Sequence, residues 1–163
     1  MNMKIKIFFF AATLLGAMLS GLLAPPAARA AGREVPPDAL RCLALAVYFE
    51  AGGEPLAGKE AVAHVVLNRV QHAGFPGGVC SVVQQGGEQR PCQFGWYCDG
   101  RSHHPTSARM WRSAQEVARE VLAGQVGDPT GGALYFAPVR AKRPAWTRHL
   151  TQIARIGGHV FYR

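Results

Sequence analysis

A chain of 163 residues has room for one domain and not comfortably for two. Eighteen Lys and Arg against ten Asp and Glu give a formal charge of +8. Such a surface suits an anionic polymer, an anionic membrane or nucleic acid, or is merely solvated.

The first thirty residues do not count toward the domain. Lys4 and Lys6 precede an apolar run over residues 8–23, and Ala28-Arg29-Ala30 then offers small residues at the spacing a signal peptidase uses. Residues 1–30 are therefore expected to be a secretory signal peptide. The alternative is an uncleaved anchor, because the apolar run is close to the minimum for spanning a bilayer. Without Lys4, Lys6 and Arg29 the excess of basic residues falls from +8 to +5. Export to the periplasm or cell envelope disfavours nucleic acid as the partner, with no stable membrane insertion once the signal is cleaved. All four cysteines, Cys42, Cys80, Cys92 and Cys98, lie beyond the signal. An even count in an oxidising compartment points to two disulfides, with three pairings open. A four-thiolate zinc site is disfavoured, as no Cys-x2-Cys pair is present.

Residues 31–37 read as a linker and residues 38–163 as the domain. Asp38 is placed to cap a helix over 39–51, where Leu40, Leu43, Ala44, Val47 and Ala51 recur at helical spacing. Gly52-Gly53 stops it. A second helix runs from Pro55 to about His72, with Leu56, Val62, Ala63, Val66, Leu67 and Val70 inward and Gly74 ending it. Residues 75–105 are rich in Gly, Pro and Cys, without a period, and too long for a plain loop. A third helix is expected over about 106–123. Turn chemistry at 127–132 precedes two strand-like pieces, 133–137 and 159–162. The expected fold class is α+β, mainly helical, a single compact domain with a short β element.

Glu50 stands on the edge of the first helix's apolar stripe, three residues after Val47 and seven after Leu43. Burial among Val47, Tyr48 and Phe49 would raise its carboxyl pKa and suit it to deliver a proton near neutral pH. A partly exposed or arginine-paired glutamate is the bland alternative. Glu54 is the obvious companion, or else a helix cap favoured by the dipole. Neither makes a metal motif with a histidine: His64 sits mid-helix as a structural histidine would, and His103-His104 is a loop pair. Phe94, Trp96, Tyr97, Tyr135, Phe136 and Trp146 cluster outside the helices, where flat faces stack on sugars or plug the core, and Gln93 could add hydrogen bonds.

Read together, AVYFEAGGEPLAGKEAVAHVVLNRV (46–70), FPGGVCSVVQ (75–84), CQFGWYCDG (92–100), GALYFAP (132–138) and IGGHVFYR (156–163) resemble the SleB-like cell-wall hydrolases, the spore cortex-lytic type. The first stretch is specific and the others individually weak. The resemblance implies a lysozyme-like fold and peptidoglycan glycan strands as substrate. It implies cleavage between N-acetylmuramic acid and N-acetylglucosamine, by lytic transglycosylation to 1,6-anhydro ends. Glu50 is implied as catalytic acid and base, and no metal or organic cofactor. Glu54, Gln93, Phe94, Trp96 and Tyr135 are the expected substrate-binding residues of a monomer. Gly53 stands where the family pattern has arginine, and 86–91 reads as an insertion. A metal- or cysteine-dependent amidase or peptidase and a non-catalytic wall-binding module are the competing readings.

Overall fold

The computed structural model describes residues 34–86, 92–141 and 144–163. The expected signal peptide and most of the 86–91 insertion lie outside the described residues, as do the first residues of the linker.

Helix α1, Pro37–Ala51, starts two residues before the expected position. Proline at its first position supplies the helical φ in advance and lacks a donor that would be orphaned there anyway. Asp38 consequently lies inside the first turn with no capping hydrogen bond from its side chain, where the helix dipole favours it. Helix α2, Leu56–Gln71, has no single apolar stripe because it is packed on two sides. Ala63 and Val66 join the main core with Leu43, Val47, Val82, Phe94, Val117 and Val121, whereas Ala61, Val62 and Val65 meet Ala51, Ala133 and Phe161 beneath the sheet. Leu56, expected inward, is 58% exposed because the helix's first turn projects past both clusters.

The irregular segment holds two short elements that its composition concealed. Helix α3, Val79–Val83, is tied to α1 by the Cys42–Cys80 disulfide, and a 3₁₀ turn, Gly95–Cys98, is closed by Cys92–Cys98. Helix α4, Ala108–Leu122, is capped by the Ser107 hydroxyl, which accepts from the Met110 amide. The Tyr48 hydroxyl accepts from the Thr106 and Ser107 amides at 3.0 Å each, and so fixes where α4 begins against α1.

Three antiparallel strands follow: β1 (Tyr135–Pro138), β2 (Gln152–Ile156) and β3 (His159–Tyr162), in the order β1-β3-β2. Tyr135 pairs with Tyr162, and Pro138 with His159. The sequence reading anticipated β1 and β3 and missed β2. Gln-Ile-Ala-Arg-Ile is an edge strand with no clean alternation, and a bulge between Gln152 and Ala154 breaks its period further. A second 3₁₀ turn, Ala145–His149, connects β1 to β2. The expected α+β, mainly helical class with a small β element holds.

Candidate active site

Where α1 ends, Glu50 opens onto a cleft of about 580 Å³ lined also by Arg69, Cys92, Gln93, Gly95, Tyr135, Phe136, Pro138 and Trp146. The helix turns away immediately after it. A side chain at Gly52 would run into the Tyr48 carbonyl and the Met110 side chain, so this glycine allows α1 to end against α4. Gly53 has open space around its missing side chain, and the arginine of the family pattern would fit there.

Desolvation raises the Glu50 carboxyl from 4.5 to about 7, with the Arg69 charge pulling it partly back down. Among the described residues the carboxylate has no hydrogen bond or ion pair, so burial prevails over the cation. Arg69 is itself only 3% exposed, and burial lowers its guanidinium to about 10 while Tyr135 and Glu50 act against the shift. It remains a cation at neutral pH. Its Nε donates to the Leu134 carbonyl at 2.7 Å, and its guanidinium lies 5.2 Å from the Phe75 and Phe94 ring centres and 5.8 Å from that of Tyr135. These contacts hold a charge in the wall of the cleft without a carboxylate partner.

The same stretch of α2 fastens the leading edge of the sheet. Asn68 donates to the Ala133 carbonyl and to Asp128, both at 3.0 Å. Asp128 also accepts from the Thr130 amide and hydroxyl and from the Gly132 amide. Desolvation pushes its carboxyl up, but those hydrogen bonds outweigh it and hold the pKa below the ordinary value. Asn68 and Arg69 together set where β1 starts, and hence where Tyr135 and Phe136 face the cleft.

The expected site residues divide. Glu50, Gln93 and Tyr135 line the cleft. Phe94, only 1% exposed, is core beneath Arg69 and presents no face to a ligand. Trp96 stacks on Phe49 at 4.6 Å, outside the cleft's lining. Glu54 lies apart as well, bordering a separate hollow with Lys59 and Arg109, and its carboxylate accepts from the Gly158 amide at 2.7 Å. That bond ties the β2–β3 turn to the start of α2. Sequence reading passed over Arg69 as a site residue. Its signal was a guanidinium one turn after Val65 and Val66 and beside Val70, an apolar setting in which only a specific set of partners can bury it.

The family model described as Cell Wall Hydrolase matches residues 53–162, beginning three residues after Glu50. Spore cortex-lytic enzymes of Halalkalibacterium halodurans and Bacillus subtilis are 35% and 38% identical over 122 and 125 residues, 75% of this chain and 34% and 36% of theirs. The chain thus spans about a third of the length of these relatives. The catalytic domain of Bacillus cereus SleB superposes with a TM-score of 0.61 at 30% identity, covering 80% of this chain and 94% of that one. That of the germination-specific lytic transglycosylase SleB from Bacillus anthracis gives 0.64 at 32%, with 80% and 98% covered.

The fold is therefore that of the SleB catalytic domains. The chain belongs to the cell-wall hydrolase family.

Proposed function

We propose that this chain is a lytic transglycosylase of the cell envelope, cleaving the peptidoglycan backbone between N-acetylmuramic acid and N-acetylglucosamine, with Glu50 as general acid and then base. The observation that carries the reading is a carboxyl group raised to about 7 by burial at the mouth of an open cleft. Such a group is protonated for a useful fraction of the time at neutral pH and is well matched to a proton transfer in either direction.

The lining of the cleft supports the one-acid route. Glycosidases that act through two carboxylates set them roughly 5 to 9.5 Å apart across the scissile bond. Among the described residues, Glu50 is the single carboxylate that lines this cleft. A nucleophile within the substrate removes the need for a second, and gains from proximity. Protonated Glu50 gives its proton to the glycosidic oxygen as the bond from that oxygen to the muramic acid C1 breaks. Positive charge then develops at C1. The resulting Glu50 carboxylate takes the proton of the muramic acid 6-hydroxyl as that oxygen closes on C1. The anhydro ring forms, the acid is regenerated, and no water is consumed. Gln93 and Tyr135 hold the sugar. Arg69 keeps the Glu50 pKa from rising above the range in which the acid can also act as base.

The test is Glu50→Gln. Lysis of purified sacculi falls by at least a hundredfold or so, while the far-UV spectrum and unfolding midpoint stay native. In the parent, activity declines as pH rises through about 7. Mass spectrometry of the released muropeptides finds 1,6-anhydro ends. Reducing ends in their place would mean hydrolysis with the same acid, and new amino groups would mean a peptidase. A variant that still lyses walls at the parent rate removes Glu50 from the chemistry.

A further inference from the structure

The fold treats its tryptophans differently. Trp111 on α4 packs toward the core, edge-on to Tyr48 at 6.1 Å. Trp96 stacks on Phe49 and meets Tyr97 and His103 edge-on. Trp146 is 50% exposed, and among the described residues only it and Leu56 are large apolar side chains left open to solvent. Unlike Leu56, Trp146 lines the Glu50 cleft.

Its exposure is held in place from behind. The ring centre lies 6.0 Å from that of Tyr135 and 6.1 Å from that of Tyr162, so β1 and β3 both brace the indole. The neighbouring Thr147 is fully buried and donates through its hydroxyl to the Pro144 carbonyl at 2.8 Å, anchoring the turn that carries the tryptophan. An indole fixed on two aromatic neighbours, with its remaining surface turned to a cleft, is preorganised for a flat apolar partner. Arg140 and Arg148, both exposed, flank it in sequence. A partner with an apolar face and anionic substituents matches both features. Pyranose rings present patches of C–H along one face, and muramic acid and its peptide carry carboxylates.

We propose that Trp146 is the sugar-stacking platform of this cleft, receiving a pyranose ring of the glycan strand, a role that neither Trp96 nor Phe94 is placed to fill. The inference rests on the glycan reading of the site, and deepens it by assigning the residue that binds. A flat face is what matters, so an aromatic replacement preserves the function and an aliphatic one of similar bulk does not.

The experiment measures binding of soluble, peptide-free glycan strands by calorimetry, in the full chain carrying Glu50→Gln so that nothing turns over. Adding Trp146→Ala or Trp146→Leu weakens binding about tenfold, equivalent to about 1.4 kcal/mol. Trp146→Phe stays close to the Glu50→Gln parent. With Glu50 intact, the loss from Trp146→Ala falls mainly on KM and less on kcat. Should Trp146→Ala unfold, the comparison of Leu with Phe decides. Equal binding by Leu, Phe and the parent overturns the proposal, as does a parent that binds no glycan. The fate of the cleavage reading is read separately, from the muropeptide ends made by the unmodified protein. Glycan binding that depends on Trp146, without new sugar ends, upholds the platform and refutes the enzyme mechanism.

Discussion

Glu50 and Arg69 face one cleft with no hydrogen bond joining them, and that arrangement has a consequence for stability as well as chemistry. The unfolded chain releases the Glu50 proton near 4.5, whereas the folded protein holds it to about 7. Between those values the native state binds more protons than the unfolded one, so the group's stabilising contribution, whole below 4.5, is lost as pH rises through about 7. A Gln in its place never charges. Glu50→Gln is therefore expected to match its parent at pH 4 and to exceed it at pH 8 by up to roughly 3 kcal/mol. His159, held below its usual pKa by burial despite the Glu54 charge, acts in the opposite direction in both proteins and cancels from the difference. Urea unfolding at the two pH values checks this, and a stability difference that ignores pH would show that the folded protein leaves the carboxyl unperturbed. An inactive variant more stable than its parent is the expected signature of an acid kept neutral for catalysis.

At the scale of elements, the sheet is tied to the helices where the β2–β3 turn meets the start of α2. Gly157 has φ +56, a conformation that side chains disfavour, and a Cβ there would also collide with the Glu54 carboxylate. Gly157→Ala is expected to cost about 1–3 kcal/mol through strain and through loss of the bond from Gly158 to Glu54. Gly53, with no atom near its missing side chain, provides the contrast. Gly53→Ala should stay within about 0.5 kcal/mol of the parent. Thermal melts of the pair measure both, and equal losses would contradict the picture of Glu54 as a clamp. The helices were legible because Leu43, Val47, Ala114, Val117 and Val121 repeat at the right interval and stay buried. Strand β2 was not, since its identity comes from pairing with β3 rather than from any pattern of its own.

At the scale of the whole molecule, the basic excess of the described residues remains largely unpaired. Among the described residues the one ion pair is Arg101 with Asp99, at 4.0 Å and exposed. Free cations on a surface attract anionic polymers over about a Debye length, which shrinks from about 30 Å at 0.01 M salt to about 3 Å at 1 M. Co-sedimentation with sacculi should therefore weaken several-fold as salt is raised across that range, and binding indifferent to salt would assign retention to the cleft alone. The sequence by itself determined the helical core, the even cysteine count, the family resemblance and the candidacy of Glu50, because apolar spacing and a motif at fixed intervals are properties of neighbours along the chain. Tertiary structure decided the disulfide pairing, the burial of Phe94, the removal of Glu54 to a turn, and the meeting of Arg69 and Trp146 with Glu50. Those depend on which side chains from distant segments share one space, and on how much water is left between them, which no local pattern encodes.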